Sequence, residues 1–157
     1  MRAPGAATIA AMETVPPFFR LIYTSHANPP VDTGGLLQQA YRNNPALGIT
    51  GGLAVLDGVF LQYLEGAEDT VEALFARMAM DSRHRDVKVL ERRGVSKRMF
   101  DDWSMALLEW TDEAKQIFRS FSPGTELNLY ETDPSTAGPL FRAWAATKGW
   151  HRLNGTA

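Results

Sequence analysis

Hydrophobic and polar positions along the chain predict five strands and four helices. Runs rich in β-branched and aromatic residues predict strands at 18–25, 49–56, 59–65, 86–95 and 102–109. Apolar residues at helical spacing predict helices at about 33–43 and 68–81, and two short amphipathic helices at 112–121 and 136–148. Between the second and third strands, the pair Asp57-Gly58 is typical of a type I′ hairpin turn.

The element order β-α-β-β-α-β-β predicts an α+β, ferredoxin-like fold with a five-stranded mixed sheet. Right-handed crossovers place the first and third strands together in the centre. The fifth strand, joined to the fourth by a turn at 97–101, is expected to flank the first. Tyr23, Gln62 and the pair Trp103 and Met105 would then lie on three neighbouring strands. Two helices would cover this face with a pocket between them.

The chain divides into three predicted parts. Residues 1–17 are rich in Ala and Pro without a period, which predicts a disordered lead-in. Residues 18–110 contain the sheet and its two long helices, and form the predicted ligand-binding domain. Residues 111–157 form a helical extension whose apolar side needs burial, and we expect it to pack on the other face of the sheet, within the chain or across a dimer.

Composition excludes several classes of protein. A formal net charge of −2 argues against general affinity for nucleic acid, and no apolar run approaches the roughly 18 residues of a membrane span. The chain has no cysteine, which excludes disulfides, thiol nucleophiles and a photoreceptor that bonds flavin through sulfur. Its three histidines lack metal-ligand spacing, so no metal site is predicted. We expect a cytoplasmic protein.

Three carboxamides carry the first chemical signal. Asn43 and Asn44 are adjacent near the predicted helix end, and Gln62 lies within an apolar strand. A carboxamide presents a donor beside an acceptor, which matches the O2, N3–H and O4 edge of a flavin ring. The alternatives are ordinary capping for the two asparagines and a backbone-bonded buried side chain for Gln62.

Five further residues have a functional and a structural interpretation. The Tyr23 hydroxyl on the neighbouring strand would hold Gln62, or Tyr23 is a core aromatic. Arg77 and Asp81, four residues apart, would contact a phosphate or ribityl group, or form a surface ion pair. Trp103 and Met105 would lie beside the ligand, or are part of the core.

Two other functions remain open at this point. A small ferredoxin-like hydrolase of the acylphosphatase kind would use Arg42 and Asn44, although no glycine-rich loop follows the first strand. Neither GxGxxG nor GxxxxGK[ST] is present. A flavin-free interaction module with apolar faces is the third hypothesis.

The chain resembles the BLUF family, the blue-light sensors that use flavin, over 18–109. The resemblance is carried by the segments RLIYTS, RNN, GITG, DGVFLQYLEG, DSRH and FDDWSM. It implies a flavin between the two long helices, FAD with FMN as an alternative. It also implies that Tyr23 is the photoactive tyrosine and Gln62 the switching glutamine, with Trp103 and Met105 as a pair beside it. The flavin contacts it implies are Tyr23, Ser25, Asn43, Asn44, Gln62, Arg77 and Asp81.

The resemblance also implies a mechanism and a mode of action. Blue light would move an electron and a proton from Tyr23, and the Gln62 carboxamide would rearrange by rotation or tautomerisation, giving a red-shifted state without a covalent bond. The protein would not be an enzyme. We expect a homo-oligomer that passes its signal to a separate protein. Met78 departs from the branched aliphatic that often packs on the ring, and His26 departs from the usual basic residue.

Overall fold

The structure, a computed structural model, describes residues 16–101, 104–124 and 126–153. The strands are β1 (Phe18–Ala27), β2 (Thr50–Leu56), β3 (Val59–Gly66), β4 (His84–Val95), β5 (Met105–Leu108) and β6 (Trp150–Leu153). The helices are α1 (Thr33–Leu47), α2 (Glu68–Ala79), α3 (Asp112–Phe121) and α4 (Ala137–Ala145), with two short 3-10 turns at Leu129–Glu131 and Pro134–Thr136.

The strands form one mixed sheet in the order β4-β1-β3-β2-β5-β6. β1 pairs antiparallel with both β3 and β4, which confirms the α+β, ferredoxin-like plan and the central position of the first and third strands. The β2–β3 hairpin turns at Asp57 and Gly58, whose φ angles of 51° and 76° are both positive, as a type I′ turn requires. No helix of the described residues is long and apolar enough to cross a membrane.

The predicted position of the fifth strand was wrong. β5 pairs in parallel with β2, and β4 alone occupies the outer side of β1. The chain leaving β4 is held across the end of the sheet by the buried Glu65 carboxylate, which accepts the backbone N–H groups of Met99 at 2.7 Å and Phe100 at 2.6 Å. These bonds direct the chain away from β4, so the expected hairpin at 97–101 does not form.

The sheet also has six strands rather than the predicted five. The sixth strand, Trp150–Leu153, pairs antiparallel with β5. Trp150 contacts Phe100 edge to face, with ring centroids 5.3 Å apart, and donates its indole N–H to the Trp144 carbonyl oxygen at 2.8 Å. Burial of this tryptophan against the core explains why the end of the chain continues the sheet.

The first helix extends beyond its predicted end at Asn43. α1 continues through Asn44 and Pro45 to Leu47. It ends at Gly48, which adopts the left-handed conformation with φ 67° and donates its N–H to carbonyl oxygens of the last turn. Both asparagines therefore lie inside the last turns of a helix, where they are held at fixed positions relative to the sheet.

Each face of the sheet is covered by one pair of helices. On the α1/α2 face, residues such as Tyr23, Leu64 and Phe75 are buried. On the α3/α4 face, Phe118 and Trp144 are fully buried in a second core. The sheet therefore separates two apolar layers, and a cavity remains in the first of them.

Candidate functional site

A cavity lies between α1 and α2, above the centre of the sheet. Apolar side chains from both helices and from β2, β3 and β5 form most of its wall. The polar side chains that line it come from different elements and point to one space. They are Tyr23, Gln39, Asn43, Asn44, Gln62, Asp81, Arg83 and His84.

Tyr23, Gln62 and Met105 form a continuous chain of contacts on the cavity floor. The Tyr23 hydroxyl donates to Gln62 Oε1 at 2.5 Å, and Gln62 Nε2 lies 3.4 Å from Met105 Sδ. Tyr23 and Gln62 are directly opposite each other in the β1–β3 register, which is why the two side chains meet.

Tyr23 is the donor in its hydrogen bond to Gln62. Burial, followed by the negative charge of Asp81, raises the pKa of the Tyr23 hydroxyl well above its ordinary value. The hydroxyl therefore stays protonated and acts as the donor. In the structure Gln62 turns its oxygen to Tyr23 and its amide nitrogen to Met105.

Met105 reaches Gln62 across an intervening strand. The prediction of three neighbouring strands was wrong, since β2 lies between β3 and β5. A Cβ atom at Gly51 on β2 would lie 3.3 Å from Met105 Cε and only 2.1 Å from the Tyr63 carbonyl oxygen. The absence of a side chain at Gly51 thus leaves room for the methionine. Trp103, the other predicted member of the pair, lies outside the described residues.

The two asparagines of α1 differ in their environments. Asn44 is only 2% exposed and donates its side-chain N–H to the Ser104 carbonyl oxygen at 2.8 Å, which ties α1 to the residue before β5. Asn43 lines the cavity from a more exposed position. One carboxamide is therefore anchored at the inner end of the cavity, and the other is available at its edge.

Asp81 does not pair with Arg77 as its spacing suggests. α2 ends at Ala79, and Asp81 bonds Arg83, whose Nη2 donates to Asp81 Oδ2 at 2.6 Å. These bonds lower the pKa of Asp81 to about 2. Arg77 is exposed on α2 and is not among the lining residues. The prediction that Arg77 and Asp81 share one helix face was wrong, because α2 ends before Asp81.

Arg83 and Gln39 are lining residues that the sequence analysis missed. Arg83 Nη2 also donates to Gln39 Oε1 on α1 at 2.5 Å. Because Asp81 and Arg83 follow α2, this network joins the two helices at the mouth of the cavity. The segment DSRH held the signal, since a carboxylate two residues before an arginine in a turn allows such a pair.

Ser25 does not line the cavity itself but is hydrogen-bonded to His84, which does. His84 Nε2 donates to the Met78 carbonyl oxygen, and Nδ1 is hydrogen-bonded to the Ser25 hydroxyl at 2.8 Å. His84 is the first residue of β4. The histidine joins β1 to the end of α2 and holds Met78, whose sulfur lies 4.0 Å from the Tyr23 hydroxyl.

This set of donors and walls suits a flavin ring. Apolar side chains of α1, α2 and the sheet form walls that would enclose a flat aromatic body. The carboxamides of Asn43, Asn44 and Gln62 can match its O2, N3–H and O4 edge. By contrast, Arg42 is exposed whereas Asn44 is buried against Ser104, so the pair that the hydrolase hypothesis needs does not converge.

Comparisons with known proteins agree with this interpretation. The family model BLUF, described as sensors of blue-light using FAD, matches residues 18–106. Photoactivated adenylate cyclase subunit beta of Euglena gracilis is 31% identical over 107 residues, covering 66% of this chain but only 12% of the relative.

Two solved structures resemble the whole fold. The dark-state structure of BlrB, a BLUF protein, has a TM-score of 0.64 and 28% identity, and the match covers 84% of this chain and 98% of BlrB. The photo-activated state of BlsA has a TM-score of 0.78, with 87% and 99% covered, and at 24% identity it supports the fold alone.

Proposed function

The chain belongs to the BLUF family of blue-light sensors that use FAD, and from this membership we propose that Tyr23, Gln62 and Met105 are its light-responsive residues. The observation that supports this most is the 2.5 Å hydrogen bond from the buried Tyr23 hydroxyl to Gln62 Oε1 on the floor of the cavity. The fold and the family support a blue-light photoreceptor that binds flavin.

The polar lining suggests how the flavin is held. Asn44 and Gln62 would bond the pyrimidine edge of the ring from the inner end of the cavity, and Asn43 would bond it from the outside. Asp81 would face the polar tail at the mouth. Since Arg83 lines the mouth and Arg77 does not, Arg83 is the cation that we propose for the tail. FAD is the expected form, and FMN would fit the same ring contacts.

Bound flavin would supply the absorption of blue light and, once excited, the capacity to accept an electron. Tyr23 is the oxidisable side chain on the cavity floor, and loss of an electron would make its hydroxyl strongly acidic. Its proton already points to Gln62 Oε1. Gln62 would respond by rotation or tautomerisation, because its oxygen and nitrogen ends have opposite hydrogen-bonding roles.

The change would then leave the site through Met105. Rotation of the carboxamide would replace the Nε2 contact to Met105 Sδ by an oxygen, which cannot donate. Met105 opens β5, and Ser104 before it bonds Asn44, so two contacts connect the cavity with this strand. Signal transfer through β5 to the helical extension at 111–157 rests on this adjacency.

The way in which the protein passes on its signal is also part of the proposal. The matched region is a sensor module, and we propose that the chain is not an enzyme but a homo-oligomer that signals to a separate protein in the cytoplasm. Support comes from the family match, which covers a sensor domain over residues 18–106. Light-dependent pull-down would test for a separate partner, and light scattering of the purified chain would test for a homo-oligomer.

Absorption spectroscopy tests the central proposal. The purified protein should show an oxidised-flavin spectrum that shifts to the red under blue light and reverts in darkness. Chromatography of the released pigment would separate FAD from FMN. A protein that binds no added flavin, or whose flavin spectrum does not respond to light, would contradict it.

A further inference from the structure

A cleft far from the flavin cavity collects five cationic side chains, although the whole chain carries a net charge of −2. They are Arg20, Arg93, Lys97, Arg98 and Arg142. Among the residues that the structure describes, no aspartate or glutamate lines this cleft. We infer that it is a binding site for a small phosphate-bearing anion.

The cations converge from four separate segments of the chain. Arg20 on β1 and Arg93 on β4 are directly opposite each other in the antiparallel register. Lys97 and Arg98 come from the segment after β4, and Arg142 comes from α4 on the covering layer. Glu91 already balances Arg20, whereas Arg93 has no carboxylate partner among the described residues, and a bound anion would supply one.

Two of the five cations are already engaged and form the base of the cleft. Arg20 is nearly buried and donates its Nε–H to Glu91 Oε1 at 2.5 Å. Arg98 donates to the Gly48 carbonyl oxygen at 2.7 Å and to Thr50 Oγ1 at 2.9 Å. These bonds fix the two guanidinium groups in place, so they form a rigid base for a ligand.

The other three cations are exposed and available. Arg93, Lys97 and Arg142 form no ion pair or hydrogen bond within the part of the chain that the structure describes. Guanidinium groups present paired N–H donors that match phosphate oxygens, and an ammonium group adds a point charge. Exposed cations above a fixed base favour a compact anion of high charge over a neutral ligand.

The shape of the site favours a small anion over a polypeptide or a nucleic acid. The cations meet in one concave cleft between α4 and the sheet, whereas an extended polyanion needs a basic stripe. A phosphate in the cleft would contact Arg142 on one side and Arg93 on the other. Binding would therefore join the covering helix to the edge of the sheet.

Calorimetric titration of the flavin-loaded full chain with inorganic pyrophosphate tests the inference. We expect one site per chain, with affinity that falls as salt is raised. Inorganic phosphate should bind more weakly than pyrophosphate, because it carries less charge. ADP distinguishes the sources: binding similar to that of pyrophosphate indicates a phosphate carried on a nucleotide, and much weaker binding indicates a free inorganic anion.

Three variants locate the site. Arg93→Gln and Arg142→Gln should each weaken pyrophosphate binding by about tenfold or more, since each removes a charge-assisted contact. Arg119→Gln on the exposed side of α3 is the matched control and should bind like the wild type. Loss of the flavin spectrum or of cooperative thermal unfolding would show that an arginine variant is misfolded. In that case Lys97→Gln replaces it as the cleft variant, with the same expected loss of binding.

The inference fails on any of three results. These are no binding of pyrophosphate, phosphate or ADP by the wild type, equal affinities in the cleft variants and the Arg119 control, or binding of an acidic peptide without binding of pyrophosphate. None of these results bears on the flavin cavity, because its light response is read separately from the visible spectrum.

Discussion

Removal of one oxygen atom from Tyr23 tests the proposed site most directly. The hydroxyl is buried and donates to Gln62 Oε1, and Gln62 itself is only 4% exposed. Tyr23→Phe keeps the ring and its packing on Phe75, with centroids 5.3 Å apart. The variant therefore removes a single donor and leaves a buried carbonyl oxygen without it.

The expected cost follows from that unsatisfied oxygen. A buried acceptor that loses its partner costs about 1–3 kcal/mol of unfolding free energy. In a domain of this size each kcal/mol lowers the midpoint of thermal unfolding by roughly 2–4 °C, so we expect a decrease of roughly 2–12 °C. Because the raised pKa keeps Tyr23 protonated, the cost should not change between pH 6 and pH 9.

A double-mutant cycle separates the hydrogen bond from general packing. Tyr23→Phe with Gln62→Leu replaces both partners by apolar groups, so the pair should cost less than the sum of the single changes. Tyr130→Phe is the matched control, because its hydroxyl donates to the Asp86 carbonyl oxygen at an exposed position. This control should change the unfolding free energy by less than about 0.5 kcal/mol.

Two measurements decide the result. Thermal and urea unfolding give the energies, and absorption under blue light gives the photocycle. Tyr23→Phe and Gln62→Leu should each stay yellow and lose the red shift. Additive energies in the cycle, or a normal light-induced shift in either single variant, would refute the assigned network.

The remaining predictions concern the flavin edge, the sulfur contact and the acidic mouth. Asn44→Ala should weaken flavin affinity by about tenfold in a fluorescence titration, and an unchanged affinity would remove its proposed role. Met105→Leu conserves volume and should cost less than about 1.5 kcal/mol, yet change the dark recovery rate because Gln62 loses an acceptor; identical recovery would argue against that contact. Arg83 lowers the pKa of Asp81 to about 2, below the roughly 3.9 of an unfolded aspartate, so its stabilisation is complete above about pH 4 and is lost as the pH falls towards 2. Asp81→Asn should flatten thermal stability over that window, and superimposable acid curves would contradict the pairing.

Local patterns predicted the elements well because they depend on neighbours in sequence. The hairpin at Asp57-Gly58 follows from turn chemistry, and the central pairing of β1 with β3 follows from the handedness of the crossovers. The position of β5 did not follow, because it depends on Glu65 binding the backbone of Met99 and Phe100, contacts 34 and 35 residues apart in the chain. No short-range pattern encodes such a bond.

In the candidate site, too, some contacts could be predicted from the sequence and others could not. Tyr23 and Gln62 were expected to meet because both side chains face one side of adjacent strands, and the register brings them together. The partner of Asp81 was misassigned, because helical spacing favours Arg77 only while the helix continues, and α2 ends at Ala79. The place of Arg83 at the cavity mouth required knowledge of where that helix stops.

The outer margin of the sheet next to Met105 is joined to the other strands by a short ladder. β5 and β6 have four residues each, and β5 is joined to β2 through the parallel pairs Gly52–Ala106 and Leu53–Leu107. So short a ladder can detach while β4, β1, β3 and β2 remain intact. The reorganisation that we propose for Gln62 would therefore reach a rim that is joined by a short ladder, and amide exchange at Ala106 and Leu107 would measure its local opening.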